Sequence, residues 1–158
     1  MNRIALTGAF LLSSLLSLNL LAAAAPTPEE QAAKATADRQ AVFKLLSVSN
    51  APVGAMARPG GTYDADIAKR GLERVAMLAG MIPELFAMDT TSYSSLTTRA
   101  SDTIWANKAD FEQLAMDLAA GATAAMEILN TQGAAGIAAA GREVGTKCGA
   151  CHDRFRLD

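Results

Sequence analysis

Apolar residues recur at helical spacing in four segments of this chain, and this periodicity restricts the fold more than any other feature. They follow the i, i+3, i+4, i+7 pattern of a helix with one buried face, and no stretch alternates long enough to indicate a β-strand. The sequence therefore predicts an all-α protein. Four amphipathic helices with mostly short connections are typical of an antiparallel four-helix bundle.

Local signals place the ends of the first helix. Thr27, Pro28 and Glu30 form a capping box with proline at the first helical position. Pro52 lacks a backbone donor and is expected to kink or interrupt this helix. The run 58–61, Arg-Pro-Gly-Gly, ends it.

The other three helices are bounded in the same way. The second starts with Asp64 as its cap and closes at Pro83, before a polar surface loop over 89–101. The third spans about 101–130 and ends at Gly133, and the fourth runs from 134 to the C-terminus. The residues predicted on the apolar face of each helix, from the first helix to the fourth, are Arg39, Val42, Phe43 and Leu46; Ile67, Gly71, Leu72, Val75, Leu78 and Ile82; Phe111, Leu114, Ala115, Leu118, Ala122, Ala125 and Leu129; and Ile137, Gly141, Val144, Cys148, Cys151, His152 and Phe155.

The first 24 residues have the order of a secretory signal peptide. Arg3 precedes an almost wholly apolar run over 4–21, and four alanines follow at 22–25. This pattern predicts cleavage after residue 24, with a membrane anchor as the alternative. We therefore expect a domain over 25–158 that is exported to the periplasm. Unoccupied thiol pairs tend to oxidise to disulfides there.

Charge and composition exclude several functions. Arg3 is the one basic residue of the predicted signal peptide. Without it, 13 of the 14 basic residues remain against 16 acidic residues, which gives the predicted domain a net charge of −3. This mildly acidic balance does not suggest a nucleic-acid partner, and no later apolar run suggests a membrane. The sequence offers no carboxylate pair, no nucleophile with a base and no phosphate loop, so we expect no enzyme.

Both cysteines and the single histidine of the chain lie in one pattern, Cys148-Gly-Ala-Cys151-His152. C-x-x-C-H is the attachment pattern of c-type haem. On a helix these three residues are i, i+3 and i+4, so they share one face. Two thiols could then bond the porphyrin edge while the imidazole reaches the iron.

Other interpretations of this motif fit less well. A structural zinc site needs four ligands, and no second Cys or His cluster exists. A redox C-x-x-C wants a βαβ context, which the helical pattern lacks. A plain disulfide in a helical interaction module remains an alternative, although it gives His152 no role.

The motif and the helices together resemble the cytochrome c-prime family, which includes the low-spin cytochromes c-556. The similarity extends along the chain through DRQAVFKLL at 38–46, TYDAD at 62–66, TIWANKADFEQLA at 103–115 and VGTKCGACHDRFR at 144–156. The resemblance implies a four-helix bundle with one covalent haem c, and it implies that dimers form through the first two helices.

The resemblance also implies roles for residues near the C-terminus. Cys148 and Cys151 would be the thioether anchors, and His152 would be the axial iron ligand. Arg156 matches a basic residue beside the haem face on that side. Its ordinary alternative is a cation in the last turn of a helix, which the helix dipole favours.

Three residues of the first helix match positions near the haem. Arg39 and Gln40 correspond to residues that approach the haem and its propionates, with a surface ion pair as the alternative for Arg39. Low-spin relatives carry a methionine where this chain has Phe43. A phenyl ring cannot bind iron, so the resemblance implies a five-coordinate site covered by Phe43. Met56 is the methionine whose position matters most for the low-spin alternative.

Two functions follow from this resemblance. The first is a high-spin haem protein that binds neutral diatomic gases, nitric oxide or carbon monoxide, and exchanges single electrons with redox partner proteins. The second is a low-spin His–Met electron carrier. The sequence leaves both open, together with a possible homodimer.

Overall fold

The computed structural model describes residues 25–158, so the predicted signal peptide over 1–24 lies outside the described residues. Helix α1 is Pro28–Met56, α2 is Ala65–Leu85 and the short α3 is Thr103–Ala106. Helix α4 is Lys108–Gln132, a 3₁₀ turn covers Gly133–Gly136, and α5 is Ile137–Phe155. The four long helices form the expected antiparallel bundle, and residues 25–158 contain no strand, only one isolated bridge between Ala100 and Arg156.

Most predicted helix ends are confirmed. Thr27 and Glu30 exchange both bonds of the capping box, and the Asp64 side chain accepts from the Ile67 amide at 2.9 Å. Gly133 ends α4 with a positive φ of 54°, a conformation that favours glycine. Because α4 follows α3 after a single residue, the third segment is two helices rather than one.

Two prolines break the chain less than expected. Helix α1 continues through Pro52 to Met56, and α2 continues two residues past Pro83. Proline at 52 removes the bond to the carbonyl of Val48, whose side chain is exposed. Water can therefore satisfy that carbonyl, and a helix tolerates this on its solvent side.

The packing of the helices leaves one side of the bundle open. Helix α4 packs closely against α2 and α5, and α1 packs closely against α2, whereas α1 and α5 touch only lightly. Most residues of the predicted faces are buried or partly buried, whereas Phe43 and Ile67 are exposed. The light α1–α5 contact leaves space between a helix with Phe43 and a helix with the Cys–His motif.

In the part of the chain that the structure describes, no helix is both long and apolar enough to cross a membrane.

Candidate functional site

A cavity of about 730 Å³ lies between α1 and α5. Its volume falls within the roughly 300–1,000 Å³ of typical ligand and cofactor sites. All seven residues that the sequence singled out line it, and they are Arg39, Gln40, Phe43, Cys148, Cys151, His152 and Arg156. Apolar side chains from α2 and α4, Val75, Ile82, Phe111, Leu114 and Leu118, close its floor.

The Cys–His motif occupies the α5 wall of this cavity. Cys148, Cys151 and His152 are partly buried, and the two thiols are not joined to each other. Burial raises the pKa of both thiols, and the neighbouring Cys148 raises that of Cys151 further. One helix face thus presents two protonated thiols and an imidazole to the same space. The disulfide alternative does not describe this arrangement.

His152 has a cationic neighbour. A guanidinium nitrogen of Arg156 lies 3.0 Å from Nδ1 of His152. Arginine only donates, so Nδ1 is the acceptor in this contact. Burial, followed by the charge of Arg156, lowers the pKa of His152, which keeps the imidazole neutral at pH 7. A neutral imidazole is the form that binds metals.

An apolar wall faces the motif from α1. Phe43 is 37% exposed, and its ring meets the edge of Phe86 at 6.2 Å between centroids. Phe86 packs in turn against Phe111 in a tilted arrangement, with 4.7 Å between the ring centroids. The cavity lining includes no methionine from the described residues, and Met56 is buried elsewhere in the core.

Arg39 lines the cavity and gives three of its five N–H donors to the end of α2 and the loop that follows it. It is only 4% exposed, and its guanidinium donates to the carbonyls of Leu85 and Met88 and to the hydroxyl of Thr90. The Phe86 ring lies 4.6 Å below it. The surface ion pair considered as an alternative is therefore wrong. Burial lowers the pKa of Arg39, against the opposing charge of Asp89.

Several lining residues were missed by sequence reasoning. Arg99 and Lys147 add two more cations, and Ser47 and Asn50 extend the α1 wall beyond Phe43. Ser47 is four residues after Phe43 and Asn50 is seven after it, so helical spacing from Phe43 could have identified both. Nothing in the local sequence marks Arg99, which comes from the loop predicted as mere surface.

The residues present fit a covalently bound haem. Two thiols and one imidazole share a helix face, the walls are apolar, and four cationic side chains line the cavity without any carboxylate among the described residues. Haem has an apolar ring and two anionic propionates, so this lining complements both. Across residues 25–158, no group of three or more His, Cys, Asp or Glu side chains converges in a way that could hold a metal ion. The fold and the site together define a helical-bundle protein of the c-type haem class.

Comparison with known proteins identifies the family. The family model described as Cytochrome C' matches residues 34–156, so the chain belongs to this family. Cytochrome c' of Rhodopseudomonas palustris is 32% identical over 120 residues, which cover 76% of this chain and 80% of that protein. Cytochrome c-556 of Agrobacterium tumefaciens is 30% identical over 119 residues, covering 75% and 91%.

A solved structure gives the same result. The structure of cytochrome c' from Rhodopseudomonas palustris superposes with a TM-score of 0.71 at 31% identity, covering 78% of this chain and 96% of that one. The chain is therefore a c-type cytochrome that carries haem c. Its relatives include both c' and c-556 proteins, whereas the family model and the solved structure are those of cytochrome c' and do not favour the c-556 alternative.

Proposed function

We propose that this chain is an exported cytochrome with a five-coordinate haem c, which binds neutral diatomic gases and exchanges single electrons. The observation that carries this proposal is the α1 wall of the cavity, where Phe43 faces inward and no methionine of the described residues is present. Haem c supplies an iron that changes charge by one electron and accepts a diatomic ligand.

The cavity residues act on what can reach this site. Phe43 and the packed rings behind it form an apolar wall that offers water no hydrogen-bond partner and obstructs large ligands sterically. A neutral gas loses almost no hydration when it enters apolar surroundings, whereas an anion loses a great deal. These walls therefore favour nitric oxide and carbon monoxide. A point mutant of the cytochrome c' of Alcaligenes xylosoxidans, which shares the fold at 22% identity and a TM-score of 0.69, has been solved as a nitric oxide complex.

Absorption spectra of the oxidised protein, with and without nitric oxide, test the proposal. We expect a high-spin spectrum that nitric oxide changes, and no thioether–iron band in the near infrared. The presence of that band in the unmodified protein would establish the low-spin His–Met alternative and refute five-coordination.

Two methionine variants make the test specific. Phe43→Met places a thioether on the α1 wall, so we expect the near-infrared band to appear and gas binding to weaken. Met56→Leu changes a buried residue outside the cavity lining, and such volume-conserving swaps usually cost less than about 1.5 kcal/mol. Its spectrum should match that of the unmodified protein.

We also propose export of the domain and pairing of two copies. Cleavage after residue 24 predicts Ala25 as the first residue of protein purified from the periplasm, which intact-mass measurement checks. Leu45 and Val48 on α1 and Met77 and Met81 on α2 are exposed, and apolar surface on both helices favours a dimer through them. Light scattering of Val48→Lys and Met81→Lys should then show a shift from dimer to monomer.

A further inference from the structure

A five-residue segment crosses the mouth of the haem cavity and is tied to both of its walls. We call residues 97–101 the strap. The Gln40 side chain on α1 donates to the carbonyl of Thr97 at 2.9 Å, and the amide of Ser101 donates to the carbonyl of Phe155 on α5 at 2.9 Å. The strap therefore spans the gap between α1 and α5, which touch each other only lightly.

Arg99 is the charged residue of the strap, and its position is fixed. Its carbonyl accepts from the amide of Leu157 at 2.8 Å, and its Nε donates to the carbonyl of Leu157 at 3.1 Å. These bonds leave the two terminal nitrogens of the guanidinium for another acceptor. Within residues 25–158, no carboxylate oxygen lies within 4 Å of the Arg99 side chain.

Arg156 brings a second guanidinium to the same end of the cavity. Its backbone pairs with that of Ala100 in the strap, and both Arg156 and Arg99 line the cavity. No ion pair of the described residues includes Arg156 either. Two like charges at the same end of a cavity repel each other, and an anion bound between them removes that repulsion. Guanidinium groups bind carboxylates with paired, charge-assisted hydrogen bonds.

We propose that Arg99 and Arg156 clamp a carboxylate at the cavity mouth, and that this carboxylate is a propionate of the haem. Arg99 is then a cofactor-positioning residue. Arg39, the arginine that the family resemblance associates with the propionates, already gives three donors to neutral oxygens of the loop after α2. The proposal requires bound haem c but does not require gas binding, so its test is independent of the gas-binding function proposed above.

The test uses the haem-loaded protein and the variant Arg99→Met. Resonance Raman bands from propionate bending report hydrogen bonding to the carboxylate, so we expect a shifted propionate band in this variant. Arg154→Met is the matched control, because it removes the same charge from an arginine of α5 that pairs with Asp110 instead. Its propionate band should be unchanged. An unshifted band in Arg99→Met overturns the proposal.

Arg99→Lys separates hydrogen bonding from charge. Lysine keeps the positive charge but loses the planar fork of donors. We expect Arg99→Lys to shift the propionate band as Arg99→Met does while it keeps the reduction potential of the unmodified protein. A band that only Arg99→Met shifts would show a charge effect alone and would refute the clamp.

Inorganic phosphate distinguishes a haem carboxylate from an anion taken up from solution. If a propionate fills the clamp, phosphate titrated into the haem-loaded protein finds no site that depends on Arg99. Isothermal titration calorimetry should then give the same result for the unmodified protein and for Arg99→Met. Phosphate binding that disappears in Arg99→Met would show that the clamp is open to solvent and would overturn its assignment to the propionate.

Discussion

Replacement of Arg39 by methionine tests whether this residue holds the loop after α2. The methionine side chain fills most of the same volume but donates no hydrogen bond. The carbonyls of Leu85 and Met88 and the hydroxyl of Thr90 then lose their partner. We therefore expect Arg39→Met to destabilise the fold even though it adds apolar surface.

The size of the effect follows from the bonds that methionine cannot make. Three hydrogen bonds at about 1 kcal/mol net each and a cation–π contact with Phe86 at about 1 kcal/mol give a loss of about 4 kcal/mol. Removal of a buried cation returns part of its desolvation cost, on the order of 1–2 kcal/mol. The free energy of unfolding should fall by about 2.5 kcal/mol, roughly 10 °C in Tm for a domain of this size.

Urea unfolding of the haem-loaded protein, followed by circular dichroism, measures this change. Thr90→Val removes one of the three acceptors and should cost about 1 kcal/mol. Arg142→Met, an exposed arginine of α5 without an ion pair in the described residues, should stay within about 0.5 kcal/mol. An unchanged stability of Arg39→Met together with a shifted propionate band would refute the loop role and assign Arg39 to the haem.

Three further predictions concern packing, ligand access and a helix cap. Gly71→Ala places a methyl group 2.6 Å from a backbone oxygen of α1, so we expect it to lower the free energy of unfolding by about 1–3 kcal/mol. The methyl group of Gly80→Ala meets nothing within 4 Å, so this variant should raise the free energy of unfolding by about 0.5–1 kcal/mol. Thermal unfolding compares the two variants. Phe43→Ala should speed carbon monoxide binding in flash photolysis, and an unchanged rate would exclude Phe43 as the gate. The amide and then the hydroxyl of Thr27 lower the pKa of Glu30 below 4.5, so its stabilising contribution is complete above pH 4.5 and is lost as pH falls through the folded-state value. NMR titration of Thr27→Ala should recover only part of this shift, because the amide bond remains.

The sequence predicted the bundle because each long helix has local signals that agree with its buried face. The capping box at Thr27, the cap at Asp64 and the glycine at 133 each act within a few residues. The Cys148–His152 spacing is equally local, so the haem site could be predicted without tertiary information. Periodicity also explains why Phe43 was placed correctly on the cavity wall.

The two errors in the predicted helix bounds, at Pro52 and in the third segment, arise where solvent exposure or local backbone and side-chain geometry outweighs the sequence rule. Pro52 removes a bond from a carbonyl on the solvent side of α1, so the helix survives. The third segment breaks at Asn107, whose backbone leaves the helical region with φ −126° and ψ 40°. Its side chain donates to the carbonyl of Thr103 at 2.9 Å, beside its own amide at 3.0 Å. Both effects depend on details that an apolar pattern does not record.

The loop after α2 shows the limit of sequence reasoning about the site. Its serines and threonines predicted a surface loop. In the structure, the start of the loop accepts hydrogen bonds from the buried Arg39, and its last residues line the mouth of the cavity. Partners of Arg39 are 46 to 51 residues away in sequence, and the strap meets α5 across more than fifty residues. Such pairings depend on how the helices pack, which no local pattern specifies.

These long-range contacts give Arg39 and Arg99 separate roles. The guanidinium of Arg39 lies over the rings of Phe86 and Trp105 and donates to three neutral oxygens, so Arg39 holds the start of the loop that leads to the strap. Arg99 sits at the exposed end of the same loop with free donors beside the cavity. A change at Arg39 should therefore act on stability first, and a change at Arg99 should act on the haem. Arg39→Met should lower the free energy of unfolding measured with urea and leave the propionate band unchanged. Arg99→Met should shift the propionate band and leave the free energy of unfolding unchanged.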